Sequence, residues 1–434
     1  MTDSMAVGER GILRGGRVVA VTGNLIRVQG VEARIGDLCR LHFMARSEPL
    51  LAEVVGLEAD TLLVMPMGSS RGISSTTLVV ATGNGLMIPS GASLLGRVID
   101  GFCRPLDDGA PLDVACPVDA AGSVVPALER PIIDTPFQTG VRAIDGLLSI
   151  GIGQRVGVFA GPGVGKTSLM AAIAAHAHVD AVVIGLIGER GREVSEFIRD
   201  GIAPEMRSRA VVVVSTSDRP AGERIKSAHV ACAIAESLRD DGAHVLLILD
   251  SLTRFARALR EVGLAAGEPP ARRGFPPSVF AELPRLIERA GKSSRGAITG
   301  FYTVLAEGEE AQDPVCEEAF SLLDGHIVLS PELAAAGHFP AIDVLASRSR
   351  VANNVCDAEQ RTQATMVRGW LAAYKKSELL IRLGEYRQGA DAELDRAVER
   401  RPSIQHFLQQ PLGEATEWEA MRDRLAELVE GGIG

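Results

Sequence analysis

"RVGVFAGPGVGKTSLMAAIAAHA", residues 155–177, joins an apolar β run, a glycine-rich turn and a helical pattern. Within it, residues 160–167 ("AGPGVGKT") satisfy the phosphate-loop spacing G-x-x-x-x-G-K-[ST], with Ala160 in the first position. The spacing serves a physical purpose, because successive backbone N–H groups can wrap an anion at a helix N-terminus. Pro162 has no N–H. The cradle is therefore expected mainly from Gly163, Val164, Gly165, Lys166 and Thr167, flanked by Gly161, Pro162 and Ser168. Lys166 would supply positive charge and Thr167 a hydroxyl for Mg²⁺. A plain strand-to-helix turn is the competing reading; the strand before the loop and the helix after it favour phosphate.

Outward from this loop, Thr139 to about Arg350 carries further apolar runs: "AVVIGLIG", "AVVVVS", "HVLLILD", "AITGFYTVL" and "HIVLS". They alternate with helical patterns such as "ERIKSAHVACAIAESLRDDG", which predicts an α/β domain with a mostly parallel sheet covered on both faces. Ligands should gather at the C-terminal ends of its strands. Upstream, Arg17 to about Pro89 runs in short β segments ("RVVAV", "LIRVQ", "AEVVGL", "TLLVMPM") between glycine and polar turns, the pattern of a small barrel or sandwich. Residues 91–136 are rich in Pro and Gly and read as an ordered bridge without long regular elements. After Asn354 helical segments take over. The expected division is a β-barrel over 1–90, the α/β domain over 91–361 and a helical domain over 362–434.

Composition bounds the function. The 434 residues are 46% hydrophobic and 23% charged, with mean hydropathy +0.15, as expected of a soluble chain with two or three domains. A formal net charge of −10 argues against a general nucleic-acid binder. Cysteines at 39, 103, 116, 232, 316 and 356 form no C-x-x-C pair, so neither a zinc site nor a disulfide framework is expected, and a reducing compartment is. The apolar stretch from Leu169 to Gly188 is broken by His176, His178 and Asp180 and reads as helix, turn and strand rather than a membrane span. The N-terminal "MTDSMAVGERGILRGG" lacks the apolar core of a secretory leader.

Two carboxylates stand where such a loop needs them. Asp250 ends the apolar run "HVLLILD", where a phosphate-loop protein holds Mg²⁺; alone, it could equally cap the next helix, "SLTRFARALR". Glu189 ends "AVVIGLIGE" and could orient or polarise a water attacking a γ-phosphate. Its alternative is a surface ion pair with Arg190 or Arg192, and the residues themselves leave the two readings open.

The stretches "IGERGREV", "STSDRPAGER", "LDSLTRFARALRE", "GEPPARRGFPPSVFAELPRLIERAG", "SLLDGHIVLS", "GHFPAIDVLASRSRV" and "ELLIRLGEYRQG" resemble the bacterial type III secretion and flagellar export ATPases. These are relatives of the catalytic and non-catalytic subunits of rotary ATP synthases, and the resemblance spans nearly the whole chain. It implies a RecA-like central domain, ATP and Mg²⁺, with Lys166 and Thr167 on the phosphates and metal, Asp250 as the Walker B carboxylate and Glu189 as the group that activates water. Arg190 would approach the phosphates, Phe339 would lie against the adenine, and Arg350 would act as a finger on the γ-phosphate of a neighbouring subunit. The implied assembly is a homohexamer with the barrel as its collar, bound to stalk and stator proteins of the secretion apparatus. It would be cytoplasmic and peripheral to the inner-membrane export gate. Export chaperones and secreted proteins would meet the helical domain around Trp370 and Tyr374, and no nucleic acid is involved.

Two departures from the family are Arg348, a second arginine near the finger, and the loop "EGEEAQDPVCEEAF" with Cys316, expected to face the central channel. "ARIGDLCRL" and "GLLSIGIGQRVGVFAGPGVGKTSLM" lean to the injectisome branch; a flagellar export ATPase and a non-catalytic ring subunit are the alternatives.

Overall fold

The computed structural model describes residues 5–8, 11–43, 48–112, 117–306, 313–411 and 413–431. The expectations that rest on Cys116 and on the channel loop over 307–312 lie outside these residues. Six strands between Gly16 and Ala81 close into a barrel. Alternation decides which side chains fill it: Val18, Ile26, Val28, Leu41, Val54, Val64 and Val79 point inward, while Val19 and Val21 face out.

Among the described residues, nine strands make the central sheet. From one edge the order is Val98–Asp100, Ala210–Thr216, Ala181–Glu189, His244–Asp250, Ala297–Leu305, Arg155–Ala160, Gly325–Val328 and Arg348–Ser349, with the short Gly291–Lys292 attached to Ala297–Leu305. Only Arg348–Ser349 and Gly291–Lys292 run antiparallel to their neighbours. The continuous apolar runs are explained by burial on both faces. Val245, Leu247 and Leu249 pack under the helices Ala221–Asp240, Leu252–Ala265 and Pro277–Ile287, and Leu246 and Ile248 pack with the helix Lys166–His176. The bridge adds to the central sheet a strand the sequence did not mark, the edge strand Val98–Asp100.

The helical end consists of Ala352–Val355, Ala358–Arg382, Ala392–Leu408 and Trp418–Glu430. Asp357 and Asp391 cap two of these helices by accepting bonds from Gln360 N–H and from the Glu393 and Leu394 N–H groups. Its apolar faces join the same core as the phosphate-loop helix through Val367, Trp370, Leu371, Phe407, Leu408 and Met421. Trp370 is therefore buried and is no contact face, whereas Tyr374 is half-buried with the Arg401 guanidinium over its ring at 4.5 Å. Leu379, Leu380 and Leu383 are the exposed apolar residues of that helix near its C-terminal end. Cys316 is likewise buried, in the first turn of Pro314–Leu322 under Leu305, so that departure from the family sits in the core rather than on a channel surface. No helix among the described residues is long and apolar enough to cross a membrane.

A buried ion pair fastens the bridge to the α/β core. Arg289 donates to both oxygens of Glu236 at 2.7 and 2.8 Å and to the Ala120 carbonyl at 3.1 Å, with Arg289 and Glu236 both buried. Gly122 (φ +65°) has no room for a side chain here, since a Cβ would stand 2.0 Å from the guanidinium. Arg289→Met should leave the Glu236 charge uncompensated and cost about 3–5 kcal/mol. The expected result is a lower urea midpoint; an unchanged midpoint would show that the pair does not secure the bridge.

Candidate active site

The phosphate loop leaves the C-terminal end of Arg155–Ala160, a strand flanked on both sides within the sheet. Gly163 (φ +76°) and Gly165 (φ +90°) occupy left-handed backbone that side chains disfavour. Gly165 is the N-cap of Lys166–His176 and provides no side-chain cap, so the first amides of an 11-residue helix stay available to an anion. Pro162, Gly163 and Thr167 are exposed, whereas Val164 is buried and anchors the turn.

Glu189 is the last residue of Ala181–Glu189 and is buried at the sheet's C-terminal edge. A bulge re-aims it: the register with Ala210–Thr216 shifts between Ile187 and Glu189, through Gly188 at φ +70°. Asp250 ends the neighbouring strand, opposite Leu186. The cap reading of Asp250 fails, because Ser251 is the N-cap of Leu252–Ala265 and accepts from Arg254 N–H at 3.3 Å. Asp250 is left facing the loop, where it contacts the Lys166 ammonium and accepts a 2.6 Å hydrogen bond from the Thr303 hydroxyl.

The surface-pair reading of Glu189 fails too. Its Oε1 lies 3.6 Å from Lys166 Nζ and its Oε2 lies 3.1 Å from Arg254 Nη2. Arg254 also donates to the Gly188 carbonyl, which ties the bulge to the helix that follows Asp250. Burial first, and then the charge of Asp250, push the Glu189 pKa from 4.5 up to about 7, with Lys166 and Arg254 pulling the other way. Among the described residues Glu189 Oε1 is buried without a hydrogen-bond partner, the signature of a group awaiting a polar occupant.

Beside the loop, a cleft of about 280 Å³ is lined by Gly163, Gly165, Ser168, Leu169, Leu329, Phe339, Pro340 and Ala341. Phe339 is 41% exposed, and its ring stands over Gly165. An exposed aromatic face next to an anion cradle suits a flat heteroaromatic base joined to phosphates.

Lys166, Thr167, Asp250, Glu189 and Phe339 thus converge on one edge. Arg190 does not join them: it pairs with Glu193 at 2.8 Å with its side chain largely in solvent, and Arg254 occupies the place beside Glu189. Arg350 sits at the opposite end of the sheet. Its N–H donates to the Asp324 carbonyl at 2.8 Å, and Asp324 pairs with Arg155, the first residue of the strand whose other end carries the loop. Six residues at about 3.3 Å each separate the two ends. Arg254 and Thr303 went unrecognised in the sequence. Neither left a distinguishing signal: Thr303 shares its strand with Thr299 and Tyr302, and Arg254 shares its helix with Arg257 and Arg260.

Comparison with known proteins agrees with this geometry. Residues 18–83 match the β-barrel domain of the ATP synthase alpha/beta family, 140–349 its nucleotide-binding domain, and 356–427 the T3SS EscN ATPase C-terminal domain. The type 3 secretion system ATPase of Sinorhizobium fredii is 50% identical over 404 residues, 93% of this chain and 90% of that protein. The assembled ATPase EscN from the enteropathogenic E. coli type III secretion system superposes with a TM-score of 0.90 at 45% identity, covering 95% of this chain and 100% of that one. EscN in complex with its central stalk EscO gives 0.88 at 44% identity, again over 95% and 100%. With its phosphate loop, paired carboxylates and three-domain order in place, the chain belongs to the type III secretion system ATPases, relatives of the ATP synthase alpha/beta family.

Proposed function

We propose that this chain is the Mg-ATP-hydrolysing subunit of a homohexameric motor at the cytoplasmic base of a type III secretion apparatus, where it drives chaperone release, unfolding and export of secreted proteins. The carrying observation is the convergence of Lys166, Asp250 and Glu189 beside an uncapped helix N-terminus. A buried carboxylate aimed at the loop also speaks against a non-catalytic ring subunit.

In this reading the amides of Gly163–Thr167 bind the phosphates, Lys166 exchanges Asp250 for phosphate oxygens, and Phe339 stacks on the base. Thr167 and Asp250 fit Mg²⁺: both offer hard oxygens, one exposed in the first helical turn and the other at a strand end facing it. When bound, Mg²⁺ neutralises charge on the β- and γ-phosphate oxygens. Glu189, held by Arg254, orients the attacking water and takes its proton. Arg350 supplies transition-state charge to the next subunit's site. Its support is distance, since it lies at the far edge of the sheet from its own loop, and its guanidinium is exposed while donating to the Phe320 carbonyl at 3.3 Å. The partners follow from the family: stalk and stator proteins, and chaperones or cargo on the helical domain, where Leu379, Leu380 and Leu383 are exposed. The solved complex of EscN with EscO supports the stalk assignment.

Glu189→Gln should keep nucleotide binding and lose hydrolysis, because the amide keeps the shape and lacks the charge; retained turnover would reduce Glu189 to a structural role. For the unsubstituted protein, log kcat/KM should climb with pH up to about 7, where Glu189 ionises, and level off above. A flat profile across that range would exclude it as the base. The sign for stability is opposite: the folded state holds this proton between pH 4.5 and about 7 and the unfolded state does not, so stability from this group is lost as pH rises through about 7.

Arg350→Ala and Lys166→Ala subunits should each be inactive alone, yet mixed rings rebuild some interfaces that hold both groups. Single-turnover hydrolysis above either parent is the expected outcome. No rescue in verified mixed rings, or substantial activity in Arg350→Ala alone, would move the finger assignment to Arg348.

A further inference from the structure

The Phe339 carbonyl is held from the helical domain. It accepts a 3.0 Å hydrogen bond from the backbone N–H of Gln410, which follows the helix Ala392–Leu408 and is 5% exposed. The Gln410 amide is fully employed on the opposite side: Oε1 accepts from Arg142 N–H at 2.9 Å, and Nε2 donates to the Gly140 and Glu414 carbonyls at 2.7 Å each. Arg142 is buried and reinforces the knot, donating to the Phe407 and Gln409 carbonyls at 2.9 and 2.5 Å and pairing with Glu414 at 2.7 Å. Thr416 N–H adds a bond to the Gly140 carbonyl at 3.1 Å. Gly140 (φ +76°) in turn abuts His176, the last residue of the phosphate-loop helix; a Cβ at 140 would stand 2.8 Å from that side chain.

One residue thus connects the two: its backbone N–H holds the aromatic wall of the cleft, and its side-chain amide fixes that backbone against the segment packed on the far end of the phosphate-loop helix. We propose that Gln410 is a positioning residue for the nucleotide: it fixes Phe339 relative to the phosphate loop, so the base-binding wall is built jointly by the α/β and helical domains. The proposal rests on the reading of Phe339 as the base contact. A ligand with phosphates and no base should be indifferent to Gln410. A ligand with a base should bind more weakly once the wall is released, while the chemistry at Glu189 and Asp250 proceeds as before.

The test uses the full chain with two probes, Mg-ATP and inorganic Mg-tripolyphosphate. Gln410→Met keeps the volume and removes the amide bonds. Kd and KM for ATP should rise about 3–10-fold, the equivalent of roughly one net hydrogen bond, with kcat within about twofold and tripolyphosphate affinity unchanged. Gln410→Asn, which keeps the amide and shortens its reach, should shift ATP affinity in the same direction by less; it carries the test if the methionine variant does not fold. Equal weakening of both probes would mark a merely structural role and overturn the proposal, as would unchanged ATP affinity. Phe339→Ala separates the two readings. If it costs ATP no more than tripolyphosphate, the base contact itself is wrong. If it discriminates and the Gln410 variants do not, the base contact stands and Gln410 falls.

Discussion

Asp250 and Glu189 end adjacent parallel strands, both buried, and two ionised carboxylates at such an edge repel strongly unless a cation stands between them. Lys166 is that cation. The sharing is unequal: Asp250 has direct contact with the ammonium and a bond from Thr303, whereas Glu189 has the ammonium at 3.6 Å and the guanidinium of Arg254. Burial first, and then the charge of Asp250, raises the Glu189 pKa. On the proposed reading, a phosphate group arriving at the loop offers Lys166 a third partner and would redistribute charge between the two carboxylates. On the proposed reading of Glu189 as the base, a pKa near neutrality is the useful outcome, since a base whose pKa lies close to the working pH both accepts and releases a proton readily.

That arrangement depends on backbone details that leave charged side chains free. Ser251 takes the cap of the helix after Asp250, so the carboxylate is not spent on it. Gly188 permits the bulge that turns Glu189 toward Lys166 and also lets Arg254 approach: a Cβ at 188 would stand 3.1 Å from that side chain. The uncapped amides at Lys166–His176 complete the pattern, as an unmet donor set beside an unmet acceptor. Unsatisfied polar groups in a buried edge are costly in isolation and become useful when a ligand satisfies them.

The sequence was most legible where one physical rule acts alone. Continuous apolar runs read as two-faced strands, the glycine spacing read as an anion cradle, and Asp250 and Glu189 stood at strand ends where a parallel sheet brings its ligands. It was opaque where tertiary contact decides. Nothing local distinguishes Arg190, which turns to Glu193 and solvent, from Arg254, which the bulge draws onto Glu189. Trp370 looked like a contact residue because aromatic side chains can serve either a surface or a core; packing against the α/β domain settled it as core. Val98–Asp100 is too short to show a period and is a strand only because Ala210–Thr216 offers it an edge. Gln410 carries no signal at all, being one glutamine of a "QQP" whose meaning arises from four carbonyl and amide partners elsewhere in the chain.

The parallel sheet also imposes a condition on assembly. All its strands but the short antiparallel pieces deliver their C-termini to the loop edge, so Arg350, beside Asp324 at the N-terminal edge, is held a full strand length from its own phosphate cradle. On the proposed reading its target lies in another copy, and the contact joins two different surfaces. Such heterologous contacts either close into a ring or run on as a filament, and a ring gives every loop edge one finger. Hydrolysis then depends on the angle between two subunits as well as on the pocket within one. On the same reading, with Gln410 tying the base wall to the helical domain, a displacement of that domain by cargo or stalk would alter nucleotide grip in its own subunit, while Arg350 would carry the state of one subunit to the next. The two couplings run through opposite edges of the same sheet, the arrangement a motor requires if load and sequence of firing are to be sensed separately.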